Sequence, residues 1–176
     1  MKTKLLFLSI FFSIASLAQE TPNSLKLNSL LNANKTITLP TNAGFFTKHL
    51  GFQPRPLDCS SCEQGFYFQW SQSSDFFLNF AQMNDGSESI TINNFTKTIV
   101  AGLPLGLQFN QSNAEECFYK FKKYKAVRYQ ESYEVSDTEN SAFMVVEFSI
   151  DTIYYKLSFV NDDLLTGIVI STKPIE

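Results

Sequence analysis

The chain has 176 residues, 44% of them hydrophobic and 18% charged, with 7 glycines and 6 prolines. That composition excludes a collagen-like, low-complexity or largely disordered protein and suits one domain or two small fused modules. The formal net charge is −3 with scattered signs, which argues against nucleic acid, because phosphate binding needs a basic face.

The opening segment, MKTKLLFLSIFFSIASLA (residues 1–18), reads as an export signal. Lys2 and Lys4 make a basic start. Leu5 to Leu17 is an apolar run too short to span a bilayer comfortably. Ser16 and Ala18 put small residues where signal peptidase reads. Cleavage after Ala18 leaves Gln19 first. No Cys follows the site, which disfavours the lipoprotein route. No later run is apolar enough for a membrane helix, so no integral membrane segment is expected after cleavage. The expected location is periplasmic or extracellular.

Residues 19–35 are polar, with Leu25, Leu27, Leu30 and Leu31 in a weak helical pattern, and read as an N-terminal arm. A helix is predicted from Asn42 to Leu50, capped by Thr41, with Phe46 and Leu50 on its apolar side and Gly51 as its stop. Strands are predicted at Phe66–Trp70, Asp75–Ala81 and Ser87–Asn93. A second helix is predicted from Asn113 to about Tyr124. Ser112 to Glu115 has the spacing of a capping box, and Cys117, Phe121 and Tyr124 form a buried stripe. Four more strands are predicted at Ala126–Val135, Ala142–Ile150, Ile153–Val160 and Leu164–Thr172. In Met144, Val146, Phe148 and Ile150 one face is apolar, while Glu147 and Ser149 point away. Asn84-Asp85-Gly86 and Asn161-Asp162-Asp163 have turn chemistry.

The two halves look alike. T-N-A at 41–43 matches S-N-A at 112–114, and FFLNFAQMNDGSESITIN resembles YYKLSFVNDDLLTGIVIS. The fold class expected from this is α+β: tandem helix-plus-antiparallel-sheet repeats over 36–97 and 98–176, with helices packed on one face of the sheet.

The segment LPLGLQFNQSNAEECFYKF at 103–121 resembles the helix-opening motif of β-lactamase-inhibitor-protein-like domains and small outer-membrane-assembly lipoprotein domains. TLP at 38–40 with LGFQP at 50–54 is similar to the two ends of the same motif. The resemblance spans about residues 30–172. It implies helical segments paired with four-stranded antiparallel sheets, and a non-enzymatic binding role as an inhibitor or immunity-type factor. The chain departs from the lipoprotein members in lacking a lipidated Cys, and its second copy has KKYKAV in place of the closing L-G-x-P. The resemblance assigns no binding residue.

Cys59-Ser60-Ser61-Cys62 is the sharpest chemical feature. In an exported protein it reads as a disulfide pinning a loop, worth about 2 kcal/mol for so short a span. A thiol-redox pair would instead want its first Cys at a helix N-terminus, whereas this one precedes FYFQW. Zinc would need four ligands, with His49 and Cys117 the only other soft candidates. Cys117 lies on the helix stripe as a buried thiol. His49, the only His, has no nucleophile or acid at a recognisable spacing. No nucleophile elbow, zinc-protease helix or Gly-rich phosphate loop is present. The sequence therefore implies no catalytic residue, cofactor or metal. Lys120, Lys122, Lys123 and Lys125 read as a solvated helix end, where cations suit the helix dipole.

Aromatic residues are abundant, with 18 Phe, 7 Tyr and 1 Trp. Most fall on inward strand positions, such as Phe66, Phe68, Trp70, Phe76 and Phe80. Tyr67, Gln69, Phe77, Asn79, Tyr154 and Lys156 fall out of phase with the core. They are the candidate partner-binding residues, because aromatic rings interleaved with polar groups suit protein interfaces. The leading reading is an exported non-enzymatic protein-binding module whose partner is another protein. The alternatives are an envelope-assembly or structural component, or a thiol-redox protein using Cys59 and Cys62. Mass spectrometry of the exported protein, alkylated in denaturant without reductant, should find Gln19 first and one alkyl group, on Cys117. A retained Met1 overturns the export signal, and three alkyl groups overturn the disulfide.

Overall fold

Strand follows strand along most of this chain because apolar residues recur at every second position. The computed structural model describes residues 37–57, 64–100, 102–136, 139–160 and 163–175. The export signal, the N-terminal arm and the Cys59–Cys62 pair lie outside the described residues.

The first helix, α1 (Ala43–Leu50), is followed by β1 (Arg55–Pro56), β2 (Gly65–Ser73), β3 (Phe76–Met83) and β4 (Glu88–Asn94). The second helix, α2 (Ala114–Phe121), is followed by β5 (Val127–Ser136), β6 (Glu139–Ile150), β7 (Ile153–Phe159) and β8 (Leu165–Ser171). All the strands form one antiparallel sheet of 8 strands in the order β1-β2-β3-β4-β8-β7-β6-β5. Its centre is the β4–β8 ladder, which runs from Ser89 opposite Ser171 to Asn93 opposite Gly167.

This architecture corrects the expected α+β fold of tandem repeats over 36–97 and 98–176. The protein is largely β, and one uninterrupted sheet takes strands from both segments. The helices have only 8 residues each. A helix that short is marginal in water and depends on packing. Here each helix is an attachment to a shared sheet. The backbone groups that two separate sheets would leave unpaired along β4 and β8 are satisfied by each other.

Both helices start one residue later than expected, and α2 ends at Phe121, with a 3-10 turn over Lys122–Tyr124 following it. Asn42, rather than Thr41, caps α1: its Oδ1 accepts from the Phe45 N–H at 3.0 Å. Gly51 closes that helix at φ 75°, a left-handed conformation suited to glycine, and its N–H donates to the Thr47 carbonyl at 2.8 Å. Asn113 caps α2 by accepting from the Glu116 N–H at 2.9 Å. Ser112 does other work. Its hydroxyl oxygen accepts from the Gln108 N–H at 3.0 Å, and its carbonyl accepts from the Leu165 N–H at 2.8 Å.

Both helices bury their apolar sides against the same sheet face. Phe46 of α1 lies 5.3 Å from the Trp70 ring and 5.7 Å from the Phe80 ring. Phe121 of α2 stacks on Phe148 at 4.1 Å, and Phe148 stacks on Tyr155 at 5.1 Å. Leu103, Leu107 and Phe109, from the segment before α2, complete the core with Ile90, Ile92, Ile168 and Ile170. Trp70 is fully buried, and its indole N–H finds no hydrogen-bond partner among the described residues. Two expected core rings behave otherwise. Phe68 is half-buried, and Phe66 is 65% exposed at the Gly65 end of β2. There, among the described residues, the sheet is flanked by the short β1, whose ladder pairs Arg55 with Gln69 and Pro56 with Phe68.

Phe148→Ala should therefore cost about 3–5 kcal/mol through lost burial and a cavity. Phe66→Ala should stay within about 0.5 kcal/mol, as surface changes do. Urea midpoints of the two variants check this, and equal losses would contradict the assigned burial.

Candidate functional site

The opposite face of the sheet carries no helix among the described residues, because the buried residues of both helices belong to the core on the other side. Strand register sets its surface. Gln69, Asn79, Thr91, Val169, Lys156 and Glu147 form one row across six strands. Tyr67, Ala81, Ser89, Ser171 and Tyr154 form the row on one side of it. Ser71, Phe77, Asn93, Gly167 and Ser158 form the row on the other.

All six candidate binding residues, Tyr67, Gln69, Phe77, Asn79, Tyr154 and Lys156, stand on this face, and each is half-buried. They form two groups. Four lie on β2 and β3, and two lie on β7, separated by β4 and β8. Three inter-strand steps put roughly 14 Å between β3 and β7. On the β2–β3 side, the Gln69 side-chain amide donates to Asn79 Oδ1 at 3.0 Å, and the Tyr67 hydroxyl donates to Met83 Sδ at 3.1 Å.

Between the groups the face is low. Gly167 sits beside Asn93 and Ser158, and a Cβ at Gly167 would come 2.6 Å from Asn93 Oδ1. The absence of a side chain there is a steric requirement of the neighbours. Near the end of the same face, Tyr67, Met83, Ser89 and Val169 line a groove of about 400 Å³, closed on one side by Lys173, Pro174 and Ile175.

On the β7 side Lys156 is tied into a charged cluster. Its Nζ donates to Glu131 Oε1 at 2.6 Å and lies 3.8 Å from Glu147 Oε1. The Tyr129 hydroxyl donates to Glu147 Oε1 at 2.6 Å and lies 3.2 Å from Glu131 Oε1. Burial, followed by the hydrogen bond to Glu147 and the charges of both glutamates, pushes the Tyr129 phenol well above its ordinary pKa of 10.0. Sequence reasoning missed Tyr129 and Glu131 as members of the site. The acids from Glu131 onward look like a solvated run, although the alternation of β5 does carry the signal that Tyr129 and Glu131 share a face.

The other candidates resolve into structural roles. The His49 ring Nδ1 is 2.8 Å from the Phe45 carbonyl, and the ring lies 4.1 Å from that of Phe45. Cys117 is a free, buried cysteine, and desolvation pushes its thiol up to about 11, so it is protonated at neutral pH. Lys120 Nζ donates to the Leu105 carbonyl at 2.7 Å, and Lys122 and Lys123 lie over the Tyr119 and Tyr124 rings. In the first turn, Asp85 Oδ1 accepts from the Ser87 N–H and hydroxyl at 2.8 and 2.6 Å. Among the described residues no three His, Cys, Asp or Glu side chains converge as a metal site would require. No described helix is long and apolar enough to cross a membrane.

Comparison of the chain with protein-family profiles, with curated proteins and with solved structures returned no match.

The Tyr129 bonds make a signed prediction. A phenol whose folded pKa is raised contributes stability that is complete below pH 10 and is lost as pH rises toward its folded pKa. Tyr129→Phe should lower stability at pH 7 by about 1 kcal/mol. It should also weaken the further loss that wild type shows above pH 10. Urea midpoints at neutral and alkaline pH measure both, and an unchanged alkaline slope would contradict the assigned hydrogen bonds.

Proposed function

We propose that this chain is an exported, non-enzymatic module whose helix-free sheet face binds another protein, acting as an inhibitor or immunity-type factor. The observation that carries the reading is the shared placement of Tyr67, Gln69, Phe77, Asn79, Tyr154 and Lys156 on the face that neither helix covers. Tyrosine offers a large apolar ring with a polar tip, a combination enriched at protein interfaces. The polar members are held before any partner arrives, Gln69 by Asn79 and Lys156 by Glu131. Such ordering lowers the entropic cost of association. The resemblance at 103–121 supports the inhibitor aspect, and the sequence features of residues 1–18 support export.

Photo-crosslinking locates the surface directly. A photoreactive residue placed at Gln69 or Asn79 should capture a partner in the cell envelope, whereas one at Lys48 or Glu115, both exposed on the helices, should not. The double variant Tyr67→Ala/Tyr154→Ala should remain folded and lose the adduct, since interface aromatics often carry about 2 kcal/mol or more. Adducts formed equally from the helix positions, or a folded double variant that keeps its adduct, would remove this reading.

A further inference from the structure

The two ends of the sheet are built differently. At one end, β1 is two residues long and contains Pro56, which has no N–H to offer a further strand. At the other end, β5 runs for 10 residues, Val127 to Ser136, with neither proline nor glycine, and its register is regular from Val127 to residue 134 and irregular only beyond it. Among the described residues no strand lies beyond it. A long unblocked edge is a template for another strand.

The sequence of that edge points to what pairs with it. Residues 127–135 read Val-Arg-Tyr-Gln-Glu-Ser-Tyr-Glu-Val, in which valine and tyrosine mirror themselves about Glu131, Gln130 mirrors Ser132, and Arg128 mirrors a residue of opposite charge. We propose that two copies of this chain associate edge to edge, β5 antiparallel to β5, about a two-fold axis at Glu131. That register sets Arg128 opposite position 134, a glutamate. It sets Tyr129 opposite Tyr133 and Gln130 opposite Ser132. Val127, 53% exposed in the single chain, lies at the flank of this paired stretch. Opposite charges and paired aromatics directly across an antiparallel ladder are the favourable combinations. A foreign strand would have no reason to match this internal symmetry. Arg128 is exposed and lies 5.5 Å from the Phe118 ring.

The parity of the register matters. Each pair joins two odd-numbered or two even-numbered positions, so each face of one sheet continues into the same face of the other. The helix-covered faces stay on one side, and the helix-free faces merge. One pair is unfavourable, because Glu131 meets Glu131 of the second copy. In each copy that carboxylate is already bonded to Lys156 at 2.6 Å, which reduces the repulsion.

Sedimentation of the full mature chain over a range of concentrations tests the proposal. Wild type should form a concentration-dependent dimer. Arg128→Glu and Glu134→Arg should each weaken it at least about tenfold, because each sets like charges opposite one another. The double variant Arg128→Glu/Glu134→Arg should restore it. An equimolar mixture of the two single variants should form the mixed dimer. Thermal unfolding of each variant confirms that the protomer is intact. A wild type that stays monomeric at its highest soluble concentration overturns the proposal. So does a dimer indifferent to both single charge reversals, or one not restored in the double variant.

Discussion

Burial on a single face of a twisted sheet is the constraint on which the rest of this structure depends. Alternate residues of β2, β3, β4, β8, β7 and β6 give a continuous apolar surface on the helix side, from Trp70 across Leu78, Ile92, Ile168 and Leu157 to Val146, while Val145 and Ala81 are buried apolar residues on the other side. Removal of that surface from water is the main favourable term in folding. It also accounts for the helices, which are too short to persist alone. Phe46 and Leu50 anchor one, and Cys117 and Phe121 anchor the other. The same constraint makes the opposite face different in kind. There polar side chains find partners within the face, as Gln69 does in Asn79 and Lys156 does in Glu131.

Local rules made much of this legible in advance. Period-two alternation places the strands of both halves. Gly51 stops α1 because glycine takes the left-handed conformation at little cost. The parity of Tyr67, Gln69, Phe77, Asn79, Tyr154 and Lys156 suffices to put them on one face. What local rules miss is long-range pairing. FFLNFAQMNDGSESITIN and YYKLSFVNDDLLTGIVIS resemble one another because each holds two strands with a short polar sequence between them, β3 and β4 in one, β7 and β8 in the other. Resemblance of that kind suggests two equivalent units. It carries no information that β4 and β8 will bond to each other and make a single sheet. The ends of strands are similarly opaque. Phe66 obeys the alternation of an inward residue, yet no local pattern reveals its exposure near the start of β2.

The charged cluster shows how sheet register turns ordinary residues into a network. Glu147 and Lys156 stand opposite one another on β6 and β7, and Tyr129, opposite Val145, lies two residues along β5 from the position opposite Glu147. Glu131 follows two residues later on the same face. Taken singly, an exposed ion pair contributes little. These groups are partly withdrawn from water, and the tyrosine hydroxyl and the lysine ammonium together serve both carboxylates. Polar networks of this type resist rearrangement more than isolated pairs do. They keep the β5–β7 side of the face in one arrangement.

The central position of β8 has a consequence for the order in which the molecule can be assembled. This strand comes after the other seven in sequence, yet its two neighbours are β4 and β7. A chain emerging from a ribosome or a translocation channel completes β1 to β7 before it releases the strand that belongs in the middle. Until then β4 and β7 each present an unpaired backbone edge, open to wrong partners. Pairing across such a sequence separation is slow to nucleate. Completion of the native sheet thus waits for the eighth strand. A chain cut short by its final strand would lack the seam between its halves, whatever their individual hairpins had achieved.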